Sequence, residues 1–168
     1  MYTTVHGFLE DWKQEASLTL QVLDKLTDAS LSRAVSDEQP RTIGEIAGHI
    51  VGSVGTFLNQ VGLQQEISTP DGTSASAIAQ AYRRASDSAI AAASANWAGK
   101  DDYLQQPIKL FGFIDTTVAG VLDKLVRHQI HHRAQLTILM RQAGLAAPGV
   151  YGPNEEETAA MRAARAKS

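Results

Sequence analysis

The stretch from residue 118 to residue 139 constrains the fold most, because its apolar residues recur at steps of three and four. That spacing is the period of an amphipathic α-helix, whose apolar face packs against the protein interior. His128 and His132 continue the same series four residues apart, so their side chains point the same way from successive turns. We therefore predict a long helix whose inner face carries two imidazoles.

The pair His128 and His132 is suited to binding one metal ion. An unpartnered polar group on an interior face costs free energy, and two charged histidines on one face would repel each other. The ordinary alternative is a core histidine that is satisfied by a hydrogen bond. His131 falls off this face, on the side of Lys124 and Arg127, and we do not expect it to be a ligand.

A metal site needs a third ligand, and the spacing of the histidine pair does not say which residue supplies it. The candidates are His49, Glu45 one turn before it, Asp115 and Asp123. His49 is favoured because it is the only other histidine on a helix face, although it lies toward the edge of that face. A carboxylate as third ligand would favour iron, whereas three imidazoles favour zinc or nickel.

Four segments share a helical period of apolar residues: 2 to about 27, 43 to about 63, 74 to about 98, and about 116 to 144. Thr42 and Glu45 form a capping box before the second helix, and Asn154 can cap a last short helix. Gly48, Gly52 and their small neighbours around His49 indicate that another helix or a ligand lies close by.

Strand patterns are nearly absent, apart from an extended stretch at 107–111 that Gly112 interrupts. This excludes Rossmann and barrel folds. The pattern favours an all-α protein, an antiparallel four-helix bundle with a short C-terminal helix, in a single domain over residues 1–168.

The composition limits the partners and the compartment. A net charge of −3 without a basic block argues against nucleic acid as a partner. The chain contains no cysteine, so it offers no disulfide, no thiolate ligand and no cysteine nucleophile. It begins without a secretory signal and has no apolar run long enough to cross a bilayer, so we expect a cytoplasmic protein that does not associate with a membrane.

Two segments resemble the DinB/YfiT-like family: residues 41–53, RTIGEIAGHIVGS, and residues 128–136, HQIHHRAQL, with 139–144 and 150–152 after them. The resemblance covers nearly the whole chain in order and spacing. Members of that family are four-helix bundles that bind a metal through three histidines, and many are homodimers. Ala134 stands where the family commonly has glycine, which affects helix packing and not the metal site.

The resemblance implies that His49, His128 and His132 are the metal ligands and that the protein is a homodimer. Three imidazoles favour zinc or nickel as the ion, with iron and manganese as alternatives. Arg133 and Gln135 flank the histidines and either orient the ligands or only pack, and Tyr151 either closes over the metal or anchors the tail.

Three neutral nitrogen ligands leave a coordination position open, as in catalytic sites. An open position can acidify water or hold a thiolate, so the reacting group would be bound to the metal. Some relatives resemble thiol-dependent transferases, and the leading hypothesis is therefore a metal-dependent thiol S-transferase that joins a low-molecular-weight thiol to a small electrophile. The alternatives are a metal-dependent hydrolase and a non-enzymatic metal-binding stress-response protein. The loops 100–114 and 145–153 are expected to shape the substrate site.

Overall fold

The computed structural model describes residues 1–167 and is mostly helical. Within that range the helices are α1 (Val5–Leu23), α2 (Ile43–Gln60), α3 (Ala75–Trp97), α4 (Val118–Gln142) and α5 (Glu155–Arg165). Two strands, β1 (Pro107–Leu110) and β2 (Ile114–Thr117), precede α4, and short 3-10 helices cover Asp28–Ser30 and Asp101–Gln105. The single-domain division over 1–168 stays a prediction, and Ser168 lies outside the described residues.

Every α-helix begins after a residue whose side chain accepts a backbone N–H of the first turn, and these residues are Thr4, Thr42, Ser74, Thr117 and Asn154. Such caps satisfy N–H groups that have no partner inside the helix. The capping boxes at Thr42 and Asn154 are both formed, in the first case as the sequence predicted. Helix α1 is shorter than the predicted range of 2 to 27, because Thr4 caps it.

The four long helices contact one another in a closed ring: α1 packs on α3 and α4, and α2 packs on the same two helices. Large side chains fill the space between them, among them Phe8, Trp12 and Tyr82, which are all buried. The indole N–H of Trp12 donates to Ser86 Oγ at 3.1 Å, so the largest buried side chain keeps its polar atom satisfied. Among residues 1–167 we find no helix both long and apolar enough to cross a membrane.

A β-hairpin between α3 and α4 departs from the all-α prediction. Strands β1 and β2 pair antiparallel, with Pro107 opposite Thr117 and Leu110 opposite Ile114. The sequence indicated only the first strand as extended, because a four-residue strand that is polar and partly exposed carries little apolar alternation. The hairpin leads directly into α4 and thus fixes where that helix begins.

The small residues of α2 accommodate the loop of residues 66–72, which runs along the helix. A Cβ placed on Gly44 would lie 2.4 Å from the carbonyl oxygen of Gly72, and one placed on Gly55 would lie 2.8 Å from that of Glu66. Real Cβ atoms do not approach backbone oxygens so closely, so glycine is required for this contact. The close neighbour of these small residues is therefore a loop of the same chain, and not the other helix or the ligand that the sequence indicated.

We expect Gly44→Ala to destabilise the protein and loosen this loop. Alanine favours a helix by about 1 kcal/mol over glycine, but the added methyl overlaps the backbone of Gly72. The net loss should be about 1–3 kcal/mol, the usual cost of overpacking, in the free energy of unfolding by urea. Gly48→Ala is the matched control, since its methyl would lie 3.2 Å from the Pro70 oxygen and should cost less. A Gly44→Ala protein as stable as the wild type would contradict the loop contact.

Candidate metal centre

Three histidines converge where α2 packs on α4. His49 comes from α2, while His128 and His132 come from successive turns of α4. One ring nitrogen of each residue lies within 4.8 Å of the others. The ring centroids are 4.8 Å apart for His49 and His128, 4.7 Å for His49 and His132, and 4.4 Å for the α4 pair. The structure thus brings together the three residues that were predicted as ligands.

The spacing of these nitrogens fits a metal ion. The Nε2 atoms of His49 and His128 are 3.1 Å apart. Two nitrogens bound tetrahedrally to zinc at about 2.0–2.1 Å lie about 3.3–3.4 Å apart, which is close to this separation. In addition, Nδ1 of His128 is buried and has no hydrogen-bond partner among residues 1–167. An ion between the facing Nε2 atoms would satisfy those two nitrogens, whereas Nδ1 of His128 would keep its proton without a partner.

Gln135 orients one of the three histidines. Its Oε1 lies 2.7 Å from Nδ1 of His132, so this ring donates its Nδ1–H and keeps the lone pair of Nε2 free for a ligand. The amide nitrogen of Gln135 lies 3.2 Å from Nε2 of His131. His131 itself is exposed and lies outside the cluster, as the sequence predicted.

The environment of the cluster favours neutral imidazoles. Burial is the largest of the causes that lower the pKa of all three histidines, and these causes together lower the pKa of His128 to about 4. Nearby histidines and the charge of Arg41 are the other causes, whereas the hydrogen bond that His132 donates to Gln135 partly opposes the shift at His132. At neutral pH the three rings are therefore unprotonated, which is the form that binds a metal.

The three carboxylates that were considered as third ligand are engaged elsewhere. Glu45 accepts a hydrogen bond from the backbone N–H of Thr42 at 2.7 Å. Asp115 pairs with the ammonium of Lys109 at 2.6 Å. Asp123 pairs with the guanidinium of Arg127 at 2.9 Å. The cluster as described therefore contains imidazoles alone.

Arg133 follows the ligand His132 in sequence but belongs to a different contact. Its guanidinium is buried and pairs with Glu15 of α1 at 2.7 Å, and it also donates to Thr19 Oγ1 at 3.2 Å. The hydroxyl of Tyr151 lies 2.5 Å from the same guanidinium and 2.7 Å from the Glu15 carboxylate. Arg133 therefore packs in the core and does not orient a ligand, and Tyr151 anchors the tail and does not close over the histidines.

A cavity of about 580 Å³ opens beside His49 and His128. Its wall includes Phe57 of α2, Phe111 of the hairpin and the loop of residues 67–72, together with the charged side chains of Arg41, Glu45 and Asp71. The tail 145–153, which was expected to shape this site, does not line the cavity. No sequence pattern predicted that Phe57 or the loop 67–72 would line it, and only the row of small residues on α2 indicated that something packs there.

A mostly helical fold with three imidazoles beside an open cavity defines a candidate metal-binding protein. The sequence model of the DinB family matches residues 1–166, and the chain belongs to this family. A relative at 39% identity, over 95% of both chains, is the uncharacterized protein YrdA of Bacillus subtilis strain 168.

Solved structures agree with this assignment. A DinB-like protein from Bacillus cereus ATCC 10987 superposes with a TM-score of 0.83 at 40% identity, covering 90% of this chain and all of that chain (100%). A second DinB-like protein, YjoA from Bacillus subtilis, gives a TM-score of 0.67 at 17% identity, covering 88% of this chain and 99% of that one. The second likeness concerns the fold alone.

We expect Tyr151→Phe to lower stability without affecting the histidine cluster. The change removes a hydroxyl that contacts both members of a buried ion pair, and hydrogen bonds to charged groups contribute about 1.5–3 kcal/mol. Thermal unfolding should show a loss near that range, while Tyr103→Phe, which loses one hydrogen bond to the Val61 carbonyl, should lose about 0.5–1.5 kcal/mol. A Tyr151→Phe protein with unchanged stability but weakened metal binding would assign Tyr151 to the site instead.

Proposed function

We propose that the three histidines hold one divalent ion, zinc or nickel, and that the protein is a metal-dependent thiol S-transferase. One observation carries this proposal: neutral imidazoles from two helices converge beside a cavity of about 580 Å³, which is large enough for a small substrate. Closed structural zinc sites have four protein ligands, whereas three ligands and an adjacent cavity are the pattern of a catalytic centre.

The donor set supports zinc or nickel over iron or manganese. Imidazole nitrogen suits zinc, copper, iron and nickel, while manganese prefers carboxylate and water oxygens. Non-haem iron sites commonly include one carboxylate beside two histidines, and the carboxylates nearest in sequence have other partners here.

When bound, the ion would supply Lewis acidity that favours the thiolate form of a thiol. The protein contributes the position: His132 is fixed by Gln135, and the cavity beside His49 and His128 brings a second substrate close. The chain has no cysteine, so the thiol must be a cosubstrate. In the reaction the sulfur forms a bond to the electrophilic carbon, the bond to the leaving group breaks, and the thiol proton passes to solvent.

We further propose that α1 to α4 form an antiparallel four-helix bundle, which the ring of contacts among them supports. The homodimer and the cytoplasmic location are proposed on the resemblance and on the composition.

The metal site is tested by elemental analysis of protein purified without chelator. We expect close to one zinc or nickel ion per wild-type chain and loss of most of it in His132→Ala, since two remaining imidazoles bind a metal poorly. His131→Ala is the matched control, because it removes an adjacent but exposed imidazole and should keep the metal. Absence of zinc, nickel, iron and manganese from the wild type, even after incubation with these ions, would refute the site.

Thiol transfer is tested with monochlorobimane, whose chloride is displaced when sulfur attacks, and a panel of cysteine, coenzyme A and glutathione. We expect fluorescent adduct to form faster with the metal-loaded protein than with the chelator-treated protein or with His132→Ala. Failure with every thiol, in protein that does contain metal, would count against the transferase. Turnover of an activated ester without added thiol would then favour the hydrolase, and inactivity toward both would favour a binding protein.

A further inference from the structure

One side of the cavity is apolar and reaches from the histidines to the surface. The ring of Phe57 lies 5.4 Å from that of His128 and 5.6 Å from that of Phe111, measured between centroids. Ile67, from the loop beside α2, lines the same cavity. Phe111 and Ile67 are 41% and 55% exposed, so they form an apolar rim that remains open to a ligand.

Phe111 occupies a backbone position that does not suit phenylalanine. Its φ is +55° and that of Gly112 is +83°, while the N–H of Phe113 donates to the carbonyl of Leu110 at 3.3 Å. Positive φ is uncommon for residues other than glycine, and asparagine is among the few that adopt it readily. A bulky residue with positive φ is strained, and strain of this kind is concentrated at functional sites.

The position of the strained ring is fixed by two contacts with α2. The backbone N–H of Phe111 donates to Gln60 Oε1 at 3.2 Å, and its ring meets Phe57 edge to face. Ile67 also lies against α2, because a Cβ on Gly55 would lie only 3.1 Å from its Cγ1. Two exposed apolar side chains are thus held on α2 from separate segments, at the cavity that contains two of the histidines.

We propose that Phe111, Phe57 and Ile67 form a subsite for an aromatic group of the electrophilic substrate. This deepens the proposed function, on which it rests for the statement that the ligand is the electrophile. An aromatic group packed edge to face on Phe111 would remain within the cavity that adjoins His128. Small electrophiles without such a group would lack this contact.

Binding of a neutral pair of probes, N-benzylacetamide and N-methylacetamide, tests the subsite without any reaction. Their dissociation constants are measured by amide chemical-shift titration of the metal-free and of the zinc-incubated protein. The decisive variant is Phe111→Asn, which removes the ring but supplies a residue that tolerates positive φ, so thermal stability should be equal or higher. Phe113→Ala is the matched control, because this phenylalanine is 74% exposed on the same turn and does not line the cavity.

We expect N-benzylacetamide to bind more tightly than N-methylacetamide, and Phe111→Asn to weaken the benzyl probe roughly three- to tenfold, as one lost aromatic contact would. Phe113→Ala should change it less than twofold. Equal binding of the benzyl probe to wild type and Phe111→Asn would overturn the subsite, whatever the metal content or the transferase assay shows. Conversely, tight benzyl binding by a protein that fails the metal and thiol assays would retain the subsite and refute the transferase.

Discussion

The packing of α2 against α4 is the contact on which the candidate site depends. It brings His49 to the two histidines of α4 and leaves a cavity at the end of the interface where the hairpin and the loop 66–72 meet α2. On α4 the neighbouring residues His132 and Arg133 serve different interfaces, the first with α2 and the second with α1. Since successive helical residues point about 100° apart, one helix can hold both a cluster of ligands and a buried ion pair.

Local periodicity was sufficient to predict part of the site. His128 and His132 lie on one face whatever the rest of the chain does, because their spacing is fixed by the helix itself. His49 is different, because its distance from this pair depends on how a second helix packs against α4. From spacing alone, His49 was therefore only one candidate third ligand alongside several carboxylates. The resemblance selected it, and the packed structure confirms that it meets the other two.

The parts that the sequence did not predict are those set by contacts between distant segments. The second strand of the hairpin gains its conformation from pairing with the first, and four residues carry too weak a pattern to show this alone. The row of glycines on α2 signalled a close neighbour but could not identify it. Only the structure shows that the neighbour is the loop 66–72 and that this loop forms a wall of the cavity.

The polar side chains in the middle of α4 differ in the partners that they contact. Gln129 accepts a hydrogen bond from the Tyr82 hydroxyl at 2.5 Å, although its buried Nε2 has no partner among residues 1–167, and Arg133 pairs with Glu15. A buried ion pair is weak support for stability, because desolvation offsets the attraction. His128 differs from both, because its Nε2 faces the Nε2 of His49 at 3.1 Å, beside a third imidazole from His132. Partly burying three imidazoles at one point costs desolvation that apolar side chains would not, which is the argument that the histidines, and not the ion pair, form the functional part of the helix.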